Sequence, residues 1–439
     1  MRNPAVSLML SFLITILLGT FLLMHPESSA SGEITPFIDA LFTSTSATCV
    51  TGLIVYDTGS YFSQVGQIII LMLIQVGGLG VMTISTAFAI ILGQNLTIST
   101  QKVMQNVVGE SNRLNFYSLL KSILSFTFVF EVIGAAILFL QFKDHLPTVS
   151  DAIYHSIFHS VSAFCNAGFA LYSDSFVSYQ NNSPVVLTIG FLIIFGGLGF
   201  AVMNDIRFNF LKKFAFGRLT LHSKIVLITT AVLIILGTGV FFLSEFRNTM
   251  ADFRFGDRLL NSWFQSVTCR TAGFNTIDEA RLTNGSSLAS IVLMFIGASP
   301  GSTGGGIKTT TIALLIIAMI SSLRGANDIN AFKRRISLKS IKEVVALLAI
   351  ALLVLGILTF FFMVTENQPF RELLFESVSA FATVGLSMGI TPHLSVLGKI
   401  IIIILMYLGR IGPMTLIYAT SLHMLKVRVR YNEENVSIG

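Results

Sequence analysis

Four segments of the chain end in glycine after a run of small and hydroxyl residues. They read ThrSerAlaThrCysValThrGly (45–52), ValSerAlaPheCysAsnAlaGly (161–168), SerValThrCysArgThrAlaGly (266–273) and ValSerAlaPheAlaThrValGly (378–385). An aromatic stands ten residues before each glycine, at Phe42, Phe158, Trp263 and Phe375. Side chains of this kind offer almost nothing for acid–base or nucleophilic work. What they leave available is the backbone, whose carbonyl oxygens can replace the water shell of a monovalent cation without adding fixed charge. Such a loop must be extended and must turn where no Cβ fits. Gly52, Gly168, Gly273 and Gly385 suit those places, because glycine accepts a positive φ. The C-terminal ends of short helices before the loops would also turn partial negative charge toward a bound cation. One such glycine reads as an ordinary turn; four at matched offsets read as a carbonyl-lined pore filter.

A second constellation is Gly297–Thr311, GlyAlaSerProGlySerThrGlyGlyGlyIleLysThrThrThr. It places Gly297, Pro300, Gly301, Gly304, Gly305, Gly306 and Lys308 inside an otherwise apolar run. Glycines and hydroxyl side chains let a backbone unwind at low cost. Irregular backbone at membrane depth is tolerated only where it lines a cavity or is buried in protein. A nucleotide-binding phosphate loop is excluded, because Ile307 separates Gly306 from Lys308 and no strand precedes it. The third constellation is Arg410. GlyGlyLeuGly at 77–80 and 196–199 becomes GlyArgIleGly at 409–412, so arginine stands where Gly78 and Gly197 stand earlier. A charge at mid-membrane costs about 2.5–3.5 kcal/mol on insertion scales, and such residues usually face a wet cavity. A cation on the axis would meet this charge as a barrier; the plainer alternative is an arginine paired in the protein interior.

Weaker signals surround these. His155 and His159 have the i, i+4 spacing of some metal sites, but no third ligand accompanies them, so no metal site is expected. Cys49, Cys165 and Cys269 lie three or four residues before a loop glycine and read as small, buried and reduced. Glu131 is a lone acid in an apolar run; pairing between helices and a place near a cation path both stay open. Arg270 lies in the third loop, where its backbone can line the path while its side chain turns away toward an acid. The basic segment 324–342 suits anionic lipid headgroups or a partner.

Composition says what must hold the loops. Of 439 residues, 53% are hydrophobic and 11% charged, against about 25% charged in an ordinary soluble domain. Mean hydropathy is +0.79. These values exclude a soluble enzyme, a nucleic-acid-binding domain and a disordered scaffold, and leave an α-helical integral membrane protein. Apolar runs at 4–24, 64–92, 116–141, 184–211, 222–244, 287–323, 338–364 and 395–425 predict eight spans, a bilayer requiring about 20 residues; the 287–323 run is too long for one simple helix and is broken by Pro300 and five glycines between Gly297 and Gly306. A cleaved signal peptide with Arg2 at its start and Ser28, Ser29 and Ala30 at its end is set aside, because the repeat needs the first run. Between alternate spans lie amphipathic stretches at 36–48, 151–165, 257–270 and 369–381, too short to cross and suited to re-entry.

The loop glycines are 116, 105 and 112 residues apart. The predicted fold is therefore an all-α polytopic membrane protein of four tandem helix–re-entrant pore helix–helix repeats around one pseudo-fourfold pore. Its divisions are repeat 1 (1–92), repeat 2 with its preceding cytoplasmic loop (93–211), repeat 3 with the intramembrane loop 297–311 (212–323), and repeat 4 with a short C-terminal tail (324–439). With both termini cytoplasmic, 18 of the 28 Lys and Arg residues fall inside, seven outside and three in the membrane region. The outer side then holds 15 acids, Asp39, Asp57, Asp151, Asp174, Asp257, Glu372 and Glu376 among them. A negative mouth concentrates cations, and the same acids suit helix N-termini.

This combination resembles the Trk/Ktr/HKT superfamily of potassium transporters over nearly the whole chain, and is most similar to KtrB-type membrane subunits of bacterial Ktr systems. The resemblance implies filter carbonyls from Val50 and Thr51, Asn166 and Ala167, Thr271 and Ala272, and Thr383 and Val384, completed by the four glycines. None of these loops carries the full Thr-Val-Gly-Tyr-Gly of potassium channels. In related plant carriers a serine at the first glycine goes with sodium transport, and Gly52 here favours potassium. The resemblance makes Gly297–Thr311 and Arg410 a gate below the filter. It also implies a plasma-membrane homodimer with one pore per chain, a cytosolic KtrA-like nucleotide-binding ring, and sodium stimulation. No cofactor is expected in the chain beyond the transported K+, with Na+ as a possible activator, and no nucleic-acid partner. A sodium-selective or poorly selective monovalent cation transporter is the alternative. A carrier without a continuous pore is disfavoured because the loops are nearly uncharged. A membrane enzyme is disfavoured because no nucleophile–base or metal set lies in the spans.

Overall fold

The computed structural model describes residues 4–80, 116–210, 216–326 and 328–412. The remainder of the second and eighth expected spans, the first cytoplasmic loop, the termini and the C-terminal tail lie outside the described residues. In chain order the helices are α1 (Pro4–Met24), α2 (Phe37–Thr48), α3 (Gln64–Leu79), α4 (Phe116–Phe142), α5 (Val149–Phe164), α6 (Ser183–Leu198) and α7 (Phe200–Phe210). They continue with α8 (Leu221–Glu245), α9 (Phe255–Thr268), α10 (Asn284–Phe295), α11 (Thr309–Leu323), α12 (Leu338–Thr365), α13 (Phe370–Ala382) and α14 (Val396–Ile411). A two-stranded hairpin, β1 (Asn330–Ala331) and β2 (Arg334–Arg335), lies in the basic segment 324–342, where no strand was expected.

Long unbroken runs of Leu, Ile, Phe and Val make α1, α4, α8 and α12, and these alone among the described helices are long and apolar enough to cross a membrane unaided. Their outward faces keep Phe21, Phe128, Leu243 and Phe360 exposed, as a lipid solvent allows. Ser63, Thr148, Thr220, Thr283, Ser337 and Ser395 cap the helices that follow them with side-chain oxygens. Asp39, Asp151, Asp257 and Glu372 do sit in the first turns of α2, α5, α9 and α13.

Small residues draw the short helices against the long ones. The Ser44, Ser160 and Ser266 hydroxyls donate to Ile16 O at 2.6 Å, Glu131 O at 2.7 Å and Ile234 O at 3.0 Å. Opposite each serine stands a glycine of the long helix, Gly19, Gly134 or Gly237, where a Cβ would strike the hydroxyl. Without a hydrophobic drive between helices in lipid, such close approach is a main source of packing energy. The fourth short helix departs from this pattern. Ser377 donates within its own helix to Leu373 O.

Two expectations are corrected. The eight spans are not eight simple helices. The fourth bends by 96° between α6 and α7 at Gly199, whose φ is +94°. Helices α3 and α14 stop at Gly80 and Gly412, also at positive φ, whereas the sixth run divides at its glycine-rich stretch as the sequence suggests, α10 ending at Phe295. The cause is packing. At Gly77, Gly196 and Gly409 a Cβ would overlap the backbone carbonyls of Thr48, Phe164 and Phe381 at the ends of α2, α5 and α13. The second correction is register. Trp263 is only half-buried, and Phe264 occupies the fully buried place held by Phe42, Phe158 and Phe375. The turn out of α9 is one residue tighter: Ala272 N donates to Thr268 O, whereas Thr51, Ala167 and Val384 donate to carbonyls five residues back.

The first and last parts of the chain are joined by charge. Lys399 Nζ on α14 lies 2.6 Å from Asp39 Oδ1 on α2, with side-chain exposures of 12% and 7%, and Tyr56 donates to Asp39 Oδ2 at 2.9 Å. Tyr407 also donates to Met9 O at 2.8 Å, tying α14 to α1. Removing one member of so buried a pair leaves an uncompensated charge and costs about 3–5 kcal/mol. Lys399→Met is therefore expected to lower the thermal unfolding midpoint of the purified protein by several degrees, with Asp39→Asn in the same chain restoring part of the loss. An unchanged midpoint for the single variant would mean that the pair contributes nothing to closure.

Candidate functional site

The four glycine-ended loops converge. A Cβ placed on Gly52 would lie 2.6 Å from Ala167 O and 3.1 Å from Gly168 Cα. On Gly168 it would lie 2.7 Å from Ala272 O and 3.0 Å from Gly273 Cα. On Gly273 it meets Val384 O and Gly385 Cα, and on Gly385 it meets Thr51 O and Gly52 Cα. The neighbours thus run from 52 to 168, 273, 385 and back to 52. The glycines and the residues just before them, Thr51, Ala167, Ala272 and Val384, form this closed ring, and no side chain beyond hydrogen fits at its glycines.

The backbone of each loop is strained in the same way. Val50, Asn166, Thr271 and Thr383 have φ of 57°, 58°, 72° and 53°, and the glycines two residues on have φ of 97°, 71°, 78° and 94°. Between them Thr51, Ala167, Ala272 and Val384 keep negative φ. Alternating signs turn successive carbonyls toward one side of the chain. A β-branched valine or threonine at positive φ is costly, so the surrounding structure must hold it there. Buried hydroxyls do this. Ser46 and Ser379 accept from the N–H groups of Gly52 and Gly385 at 3.1 Å each. Ser162 and Thr268 donate to Phe169 O at 2.8 Å and Phe274 O at 2.6 Å. These four hydroxyls were visible in the sequence only as small residues, not as the braces of the loops. On one side of the ring lies a cavity of about 240 Å³ lined by all four glycines. A larger apolar groove of about 690 Å³ between α8 and α11 does not include them.

The segment after α10 lies directly against the other side. A Cβ on Gly304 would strike Thr271 Oγ1, and one on Gly305 would strike Thr383 Oγ1. Gly297 packs on Gly305 and Gly306, and Pro300 O faces Gly199. Because the segment is not helical, its polar groups find other partners. Ala298 N donates to Gly305 O at 3.2 Å, Ser299 N to Gly197 O at 3.0 Å and Thr303 N to Gly196 O at 3.2 Å. Thr303 Oγ1 donates to Phe164 O at 3.1 Å, and Gly301 O accepts from Phe200 N at 2.9 Å beyond the bend. Lys308 turns back to Gly304 O at 2.8 Å.

Arg410 completes this layer. Its guanidinium donates to Thr303 O of the irregular segment and to Gly77 O and Gly78 O at the end of α3. A cation at a helix C-terminus is favourable. Its acceptors among the described residues are backbone carbonyls, and no ion pair to it is among them.

The weaker signals fall as follows. Both ring nitrogens of His159 are engaged, Nδ1 with His155 O at 2.8 Å and Nε2 accepting from Leu171 N at 3.1 Å, so the ring braces the second loop rather than ligating a metal. The three cysteines are buried and free. Cys165 lies 3.6 Å from Gln75 Oε1 and 4.0 Å from Glu131 Oε1, which places Glu131 between helices. Arg270 does turn away from the ring, but its polar contact among the described residues is Thr230 Oγ1 at 3.5 Å, not an acid.

Comparison with known proteins decides the family. The family model described as TrkH, cation transport protein, matches residues 1–426. The chain belongs to this family of cation transport proteins. It is 40% identical to the Ktr system potassium uptake protein B of Vibrio alginolyticus, over 98% of this chain and 94% of that one. It is 39% identical to the potassium/sodium uptake protein NtpJ of Enterococcus hirae, over 100% and 97%. Its fold matches the crystal structure of the potassium transporter TrkH from Vibrio parahaemolyticus with a TM-score of 0.73 at 18% identity, covering 93% and 84% of the two chains. These relatives are transporters rather than enzymes, as the composition implies.

The Arg410 clamp has a direct readout. Charge-assisted hydrogen bonds contribute about 1.5–3 kcal/mol each, and in Arg410→Ala Thr303 O and Gly77 O lose the charged donor. Amides of Ala298, Ser299 and Thr303 are then expected to exchange with deuterium at least about tenfold faster, with amides of α4 unchanged. Unaltered exchange would mean that the segment is held without Arg410.

Proposed function

We propose that the chain is the pore-forming membrane subunit of a potassium uptake system. The observation that carries this reading is the closed ring of Gly52, Gly168, Gly273 and Gly385, with their alternating backbone and the cavity beside it. In this reading four helix–short helix–helix units surround one axis. Val50, Thr51, Asn166, Ala167, Thr271, Ala272, Thr383 and Val384 supply carbonyl oxygens that replace the hydration shell of K+. Further support comes from the printed names of the relatives, which are potassium or potassium/sodium uptake proteins.

The gate is the segment Gly297–Thr311, irregular as far as Lys308 and held by Arg410. Two features favour it: the segment lies against Thr271 and Thr383, and Arg410 brings a positive charge with no ion-pair partner among the described residues to the same layer. Opening requires the guanidinium to leave its carbonyls. The protein sits in the plasma membrane as a homodimer with cytoplasmic termini. A cytosolic nucleotide-binding ring regulates it, and sodium stimulates it. Support for a partner is that two relatives are named as parts of Ktr systems. The name of the Enterococcus hirae relative favours a second reading, a transporter that also passes sodium.

Expression in cells lacking their own potassium uptake is expected to restore growth on low K+ and to drive 86Rb+ uptake that excess K+ blocks more strongly than excess Na+. Arg410→Ala is expected to raise flux in the absence of the partner by about tenfold, as the loss of one charge-assisted contact would allow. Rescue that depends on sodium conduction alone would overturn the potassium assignment, and unchanged flux in Arg410→Ala would remove the gate role.

A further inference from the structure

The cavity over the glycine ring is not symmetric. Its lining joins glycines and hydroxyl residues to the apolar Leu53, Ile54 and Leu386, and one acidic residue lies among them, Glu279 from the loop between the third glycine and α10. Glu279 is 3% exposed. Its Oε1 accepts from Gln265 Nε2 at 2.7 Å, while Oε2 is buried without a hydrogen-bond partner. A buried carboxylate oxygen left unpaired is costly, and contrasts with buried Glu245, whose two oxygens take bonds from Asn248, Thr249 and Thr283. Glu245 is a structural brace; Glu279 has an acceptor to spare.

We propose that Glu279 is a ligand for a partly hydrated alkali cation at the mouth of the glycine ring. The inference rests on the pore reading for its physiological use, but the site itself is defined by this chain's residues. Its chemistry selects the class of ligand. All donors are oxygen: the Glu279 carboxylate, the Asn275 amide, the Ser387 and Thr391 hydroxyls and the glycine peptides. One carboxylate balances one positive charge, and no group of three or more His, Cys, Asp or Glu suited to a metal ion occurs among the described residues. A volume of about 240 Å³ holds several waters at about 30 Å³ each, so the ion arrives with part of its shell.

The charged and titratable groups around Glu279 come from each neighbouring element. Asp278 and Arg281 share its loop, Glu245 ends α8, Cys269 closes α9, and buried Glu376 of α13 accepts from Thr391 of the cavity lining. Arg371 at the start of α13 is occupied with Ala280 O at 3.0 Å and Asn284 Oδ1 at 3.0 Å. Burial first, and then the nearby Asp278 and Glu245, push the Glu279 carboxyl up to about 8 against the lowering pull of Gln265. A proton therefore competes with the cation. The carboxylate is formed above that value and lost below it, so cation affinity rises with pH.

The test uses the purified full chain in detergent, with thermal stabilisation by KCl as the readout at constant ionic strength in N-methylglucamine. With a carboxyl near 8, about 3% is ionised at pH 6.5 and about 90% at pH 9, which bounds the change in apparent affinity at about 30-fold. The KCl midpoint is expected to fall at least about threefold from pH 6.5 to pH 9. In Glu279→Gln it should stay high at both pH values, and Glu279→Asp should keep part of the dependence. Asp252→Asn, which removes an exposed acid, should behave as the parent. A Glu279→Gln protein that keeps the parent's pH dependence, or an Asp252→Asn protein that loses it, overturns the proposal. A parent chain that KCl does not stabilise at either pH overturns it too. Failure of the transport reading is seen separately, as absent 86Rb+ uptake by the parent chain in cells.

Discussion

Main chain meeting main chain at Gly52, Gly168, Gly273 and Gly385 is the contact on which the remaining architecture depends. Each glycine abuts a carbonyl and a Cα of the next loop, so each loop is seated only when its neighbour is. Backbone packed this closely cannot satisfy itself as a helix or a sheet would. The cost is met by what lies behind each loop: Ser46, Ser162, Thr268 and Ser379 hold its N–H and C=O groups. Those hydroxyls are fixed in turn by short helices seated on the long ones through Ser44, Ser160 and Ser266. The apolar lipid-facing helices thus position a polar centre in layers, with small residues at every interface.

The same closeness explains why the second helices cannot run straight. Gly77, Gly196 and Gly409 let α3, α6 and α14 touch the last turns of the short helices, and a few residues later each helix stops at a glycine of positive φ. A continuous helix there would fill the space under the ring. At the break Gly77 O takes a tight-turn bond from Gly80 N at 3.2 Å, and the carbonyls of this helix end concentrate partial negative charge. Arg410 answers that charge from the one second helix that carries arginine in place of glycine.

How much of this was legible in the sequence depends on whether the cause was local. The loop glycines and short helices follow from residue type and spacing, and the structure brings the named residues together. The one-residue contraction in the third loop did not follow, because alignment on Gly273 fixes the loop and carries the error into the helix. The hydroxyl pattern held the correction: Thr268 takes the place that Ser162 takes, one residue closer to its glycine. The bend at Gly199 was written in the repeated GlyGlyLeuGly, but apolarity through 184–211 outweighed it. The Asp39–Lys399 pair joins residues 360 positions apart, and nothing in local pattern pairs one outer acid with one outer base. The acceptors of Arg410 are backbone carbonyls, which every residue carries and no sequence marks.

The nature of those acceptors bears on what the layer can do. A carboxylate partner would cancel the charge of Arg410 and hold it in one place; a bonded ion pair buried in the protein makes a poor switch. Peptide carbonyls satisfy the hydrogens of the guanidinium but leave its net charge in the layer, so the field that opposes a cation persists while the contact lasts. They also belong to two different parts of the chain, Thr303 in the irregular segment and Gly77 at the end of α3. One side chain therefore senses the separation of both. In the proposed gate, a shift of the irregular segment would carry Gly304 and Gly305 away from Thr271 and Thr383 and break the Thr303 contact of Arg410 together. Steric and electrostatic closure in that proposal would be a single structural event rather than two that must be coordinated.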